Sequence, residues 1–144
     1  MDNRNQSLKL FVVLAKAYKV VMERAVKDMK QKGLSAAEFS ILELLYHKGQ
    51  TSLQRISERI LVTSGTITYT VDKLEAKGYL KRVSCPKDRR VTYAEMTEAG
   101  KELFDQLFPA HADTIESLMD GLTLEEKATA TDLLKKLGYH AQKH

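Results

Sequence analysis

The chain has 144 residues, 43% hydrophobic and 29% charged, with a net charge of +4, a length and balance that fit one globular domain with a sizeable core and exclude fibrous and disordered classes. One cysteine, Cys85, excludes an internal disulfide framework, and His47, His111, His140 and His144 lack metal-ligand spacing, so neither a metal nor any other cofactor is expected. There is no glycine-rich phosphate loop, no G-x-S-x-G, no secretory signal and no run approaching the ~20 apolar residues of a membrane span, which leaves a cytoplasmic protein without a catalytic site as the expectation.

From about Ser7 to Lys32 the residues Leu8, Phe11, Ala15, Tyr18, Met22, Ala25 and Met29 recur at alternating spacings of three and four, the seam of one long helix. Leu10, Leu14, Ala17 and Val21 add a second apolar row, so the helix is expected to meet both its own core and another subunit. Ser35 and Glu38 then form a capping box, with Leu34 and Phe39 as a hydrophobic staple, and a second helix starts at Ala36 and stops at Gly49. Phe39, Leu42, Leu45 and Tyr46 are its buried face. Thr51 and Gln54 repeat the capping spacing ahead of a short helix with Leu53, Ile56 and Ile60 on its apolar side.

Only Leu61 and Val62 separate that helix from Thr63, which is placed to cap the next one. There, Ile67, Val71 and Leu74 form a narrow buried stripe, and at roughly 100° per residue the opposite side carries Gly65, Thr66, Thr68, Tyr69, Asp72 and Lys73. The helix stops at Gly78, and Leu80 to Val83 and Val91 to Met96 alternate around a turn over Ser84 to Asp88, the pattern of a hairpin. Two short helices on a tight connection followed by a hairpin make a winged helix-turn-helix. Residues 64–90 hold seven Lys or Arg against three acids, a charge of +4. A basic run is often just solvated surface, but a polar helix face beside a cationic hairpin tip matches a major-groove reader flanked by a backbone or minor-groove contact.

Past the hairpin, Thr97 caps a helix from Glu98 to about Asp120, with a kink or break expected near Pro109. Thr123 and Glu126 box the start of a last helix, carried by Leu124, Ala128, Thr131, Leu134 and Leu137 to Gly138. Residues 1–32 carry +5 and 91–144 carry −5, while 33–63 are neutral. Docking of the two ends would therefore leave the helix-hairpin unit as the uncompensated cation.

This order of elements resembles the MarR family of bacterial transcription regulators over nearly the whole chain. The most specific match is SGTITYTVDKLEAKGYLKR with PKDRRVTYAEMTEAGKEL, where Asp88, Arg89 and Arg90 fall on the family's wing-tip D-x-R. The resemblance implies a mainly α fold with a small β-hairpin wing: a winged helix-turn-helix over 33–97 and a helical dimerisation region over 1–32 and 98–144. It further implies a homodimer on near-palindromic double-stranded DNA, with Arg90 in the minor groove, Asp88 steering it, and Arg89 and Lys87 beside it near phosphates. Ser64, Thr66, Thr68 and Tyr69 take the positions that face the major groove, and Lys73 the backbone.

Similar proteins commonly release DNA when a small phenolic or other aromatic effector binds between the dimer helices and the winged domain. Phe11, Tyr18, Tyr46, His47, Phe104, Phe108 and His111 are the candidate lining, although aromatics at helical spacing are more often core. The redox branch has its reactive cysteine near the start of the first helix, whereas Cys85 is on the wing. The expected function is thus a repressor relieved by a small molecule. The rival reading is a winged-helix scaffold that binds proteins and not specific DNA.

Overall fold

Asp2 begins the first helix, α1 (Asn3–Gln31), by accepting a hydrogen bond from the Asn5 amide at 2.8 Å, so the helix starts four residues before Ser7. The computed structural model describes residues 2–60 and 64–144, and Ser64 by its backbone alone. The Thr63 cap expected from the sequence lies outside the described residues. At about 1.5 Å per residue α1 is about 43 Å long, and only Ala25 and Met29, near its end, are buried. The seam residues Leu8, Phe11 and Tyr18 are exposed within one chain.

The second helix, α2 (Ala36–Lys48), opens on the expected box: Glu38 N donates to Ser35 Oγ at 3.1 Å, and Ser35 N to Glu38 Oε1 at 3.0 Å. Thr51, in contrast, does not cap the following helix. It lies in a two-residue strand, β1 (Thr51–Ser52), and its hydroxyl donates to the Gly49 carbonyl at 2.8 Å. Ser52 caps α3 (Leu53–Ile60) instead, accepting from Arg55 N at 3.2 Å. So short a strand has no periodicity to read, and adjacent Thr and Ser offer the same cap chemistry.

Next, α4 (Ser64–Ala76) buries Ile67, Val71 and Leu74, the expected stripe. It ends where Gly78 adopts φ +84°, a left-handed position open to glycine without steric cost, and Tyr79 N donates back to the Leu74 carbonyl. Strands β2 (Leu80–Ser84) and β3 (Thr92–Met96) then pair antiparallel, with Leu80 opposite Met96 and Ser84 opposite Thr92. β1 adds to the outer side of β3 through Thr51 opposite Ala94, giving the order β1-β3-β2.

Of the kink or break expected near Pro109, the break is absent: α5 (Glu98–Met119) is continuous, and the proline withholds one N–H from the Asp105 carbonyl. Its neighbours explain the tolerance, since Phe104 packs on Phe39 at 5.0 Å and on Tyr46 at 5.3 Å. The last helix, α6 (Leu124–Gln142), has the Thr123–Glu126 box but runs through Gly138 instead of ending there. It buries no residue within the chain. The core therefore lies where α2, α3, α4 and the sheet meet the first half of α5, around Phe39, Leu42, Ile56, Val71, Leu80 and Phe104.

Candidate nucleic-acid interface

Burial of Ile67, Val71 and Leu74 turns the other side of α4 outward, and Thr66, Thr68, Tyr69 and Lys73 are all exposed there. Tyr69 is 65% exposed, and Lys73 Nζ stands 5.6 Å from its ring centroid. That distance is a cation–π contact, which holds a positive charge and a flat aromatic surface together on one helix face. Thr70, between them in sequence, is buried and donates its hydroxyl to the Thr66 carbonyl at 2.7 Å.

At the wing tip, Asp88 holds Arg90 from both ends. Its Oδ1 accepts from Arg90 N at 3.0 Å and Nε at 3.2 Å, and its Oδ2 from Nη2 at 3.3 Å. The tip is closed by bonds from Val91 N to the Asp88 carbonyl and from Cys85 N to the Val91 carbonyl. The Arg90 side-chain bond, then its backbone bond, keep the Asp88 carboxyl below its usual range and therefore ionised. Arg90's side chain is nonetheless 91% exposed, a guanidinium fixed in direction and open to a partner. Lys87 and Arg89 stand exposed on the same tip and make no ion pair among the described residues.

The helix and the wing are tied together by a residue to which the sequence reading gave no role. Arg82 of β2 donates Nη2 to Asp72 Oδ1 and Nη1 to Glu75 Oε1, each at 2.6 Å, and its amide donates to Glu75 Oε2 at 3.3 Å. Asp72 and Glu75 are three apart on α4, so both face one neighbour; that spacing, with an arginine just past the helix end, was the available signal. The expectation of an uncompensated +4 unit needs correction too. Lys77 pairs with Glu38 at 2.6 Å and Lys81 lies 3.7 Å from Glu95, both acids outside residues 64–90. What stays open is narrower: Lys73, Lys87, Arg89 and the oriented Arg90.

Five of the seven candidate ligand-lining residues come together where α2 meets α5. His47 and Phe108 are 4.9 Å apart, Tyr46 and Phe108 5.8 Å, and His111 lies 4.4 Å from Phe39. Phe104 is wholly buried, a core ring. Tyr46 donates its hydroxyl to Asp105 at 2.5 Å, a bond that raises the phenol's pKa. The buried His111 sits between Asp28 at 3.8 Å and Glu43 at 3.6 Å. Phe11 and Tyr18 are elsewhere, on the exposed part of α1, where Tyr18, Met22 and Val26 border an open apolar groove of about 800 Å³. No group of His, Cys, Asp and Glu able to hold a metal occurs among the described residues.

The MarR family model matches residues 34–92. The HTH-type transcriptional regulator MhqR of Bacillus subtilis is 47% identical over 137 residues, spanning 95% of this chain and 94% of that protein. Among solved structures, the MarR family regulator AbsC from Streptomyces coelicolor superposes with a TM-score of 0.86 at 19% identity, covering 100% of this chain and 98% of its own. A MarR variant from E. coli complexed with operator DNA superposes with a TM-score of 0.80 at 23% identity, over 95% and 99% of the two chains. Bordetella bronchiseptica BpsR, whose DNA binding is regulated by 6-hydroxynicotinic acid, superposes with a TM-score of 0.76 at 25% identity, over 90% and 98%.

Proposed function

Because the chain belongs to the MarR family of DNA-binding transcriptional regulators, we propose that it is a homodimeric repressor that reads a near-palindromic operator and releases it when a small aromatic compound binds. The single observation that carries the DNA-reading part is the Asp88–Arg90 arrangement, an exposed guanidinium held in one direction at the wing tip. Such a group suits the narrow, electronegative minor groove of an A·T-rich segment. Thr66, Thr68 and Tyr69 then face base edges in the adjacent major groove, with Lys73, Lys87 and Arg89 near phosphates. Residues 33–97 are the reading unit, and 1–32 with 98–144 the dimerisation region.

Release by an aromatic ligand is supported by the ring cluster of Tyr46, His47 and Phe108 between α2 and α5, and by the ligand control described for BpsR. A compound wedged there changes the angle between the reading unit and the helices that set the spacing of its two copies.

Selection of bound duplexes from a random pool, followed by fluorescence anisotropy with the recovered sequence, is the test. We expect an inverted repeat, and an Arg90→Ala loss of about 1 to 3 kcal/mol in binding free energy with the dimer intact. Recovery of no preferred sequence, or an unchanged Arg90→Ala affinity, would overturn the assignment.

A further inference from the structure

Beyond the open cations of the wing and α4, a second group of cations makes no ion pair among the described residues. Between the end of α2, β1 and α3 on one side and the start of β3 on the other runs a groove of about 680 Å³. Its lining includes Lys48, Arg55, Arg59 and Arg90 and not one acidic side chain. Lys48, Arg55 and Arg59 are exposed and make no ion pair among the described residues. Glu43 borders a neighbouring depression with Lys48 and Arg59, and Glu58 one with Arg55, but neither acid forms an ion pair with these cations among the described residues.

Arg55 and Arg59 are four apart on a helix of eight residues, where like charges repel. Arg82, Lys77 and Lys81 show what the same chain does when a cation is structural: each is given an acid within 3.7 Å. Leu53 and Tyr93 line the groove between the charges, a low-dielectric wall that strengthens attraction for an anion.

We propose that this groove seats the sugar-phosphate strand that leaves the minor groove at Arg90, so that Arg55 and Arg59 are phosphate-contacting residues of the DNA-bound state. The inference rests on the DNA-reading function proposed above and extends its footprint to α3. A linear polyanion fits better than a compact one, because the cations come from three separate elements, the wing, α3 and the end of α2. Recognition here is of charge and strand shape alone, so it adds affinity without sequence preference.

The test compares wild type, Arg55→Ala, Arg59→Ala and Arg55→Lys on the selected operator and on random duplex across a salt series. In a homodimer each Ala variant removes two phosphate contacts, so the slope of log K against log[salt] should become less steep by roughly 2, with the operator-to-random ratio unchanged. Arg55→Lys should restore most of the slope. On the DNA side, wild type should lose affinity when neutral methylphosphonates replace the phosphodiesters between the two contacted grooves, and Arg55→Ala should be largely indifferent to them. This arm holds even for a variant that folds poorly. Wild-type binding with unchanged slopes, or with no penalty for any methylphosphonate position, overturns the groove assignment while leaving the DNA-reading function standing. A changed operator-to-random ratio at constant slope overturns it in favour of base reading. Wild type that binds no duplex at low salt removes both.

Discussion

Glu38 does two jobs with one carboxylate. It closes the capping box at the start of α2 and receives Lys77 from just past the end of α4, at 2.6 Å, while almost fully buried. Burial alone would raise its pKa, but the bonds from Lys77 and Ser35 outweigh that and hold it below its ordinary 4.5. With the folded value depressed, the unfolded chain binds the proton more tightly, so this contribution is complete above about pH 4.5 and is lost as pH falls through the lower folded value. Glutamine keeps the box, because its amide oxygen still accepts from Ser35, but loses the charge. Glu38→Gln should therefore cost about 1 to 2 kcal/mol near neutrality and flatten the fall in stability below about pH 4.5. Urea titrations across that range measure it, and parallel curves for both proteins would refute the account.

At the scale of elements, the seating of α5 against the wing depends on a missing side chain. A Cβ at Gly100 would stand 2.1 Å from the Tyr79 carbonyl oxygen and 3.0 Å from Met96 Cγ. The same carbonyl accepts from Thr97 N, and Thr97's hydroxyl donates to the Gly78 carbonyl, so the turn after α4 and the start of α5 are clamped in register. Gly100→Ala gains helix propensity yet should destabilise by about 1 to 3 kcal/mol, because the backbone must move apart. Denaturant midpoints check this; an unchanged midpoint would mean the contact relaxes freely. The helices themselves were legible in the sequence because Ser35–Glu38, Thr97 and Thr123–Glu126 mark their starts and the apolar stripe of α4 marks its face. What escaped was pairing across elements. β1 is too short for a period, and the partners of Arg82 and Lys77 lie in other elements, where a count of charges by segment cannot assign them. The wing tip could be read since Asp88 and Arg90 are local; the Lys48–Arg55–Arg59 array could not, since it exists only once α2, α3 and β3 are side by side.

At the scale of the whole molecule, the apolar surface left open in a single chain supports the proposed dimer. Leu8, Phe11, Val12 and Val13 of α1 and Leu133, Leu134 and Tyr139 of α6 are exposed, and apolar faces of this kind mark interaction surfaces. The two helices also belong to segments of opposite net charge, +5 over 1–32 and −5 over 91–144, so a second copy offers each what it lacks. Sedimentation should give twice the 16.3 kDa chain mass, with a concentration-dependent melting temperature. Leu134→Asp should shift the protein to monomer or aggregate and lower that temperature. A wild-type monomer at micromolar concentration would contradict the proposed assembly.

The Arg82 bridge has one more implication, concerning the language of the operator. By bonding Asp72 and Glu75 of α4 from a strand of the wing, it ties together the helix and the hairpin that we propose read the operator. Each half-site is then a single word whose letters cannot be respaced: a base pair inserted between the two contact sets cannot be absorbed by either one alone. Under the proposed function, drift in such a binding site would be confined to letter changes within each word and to the gap between the two words, which the proposed dimer helices would measure.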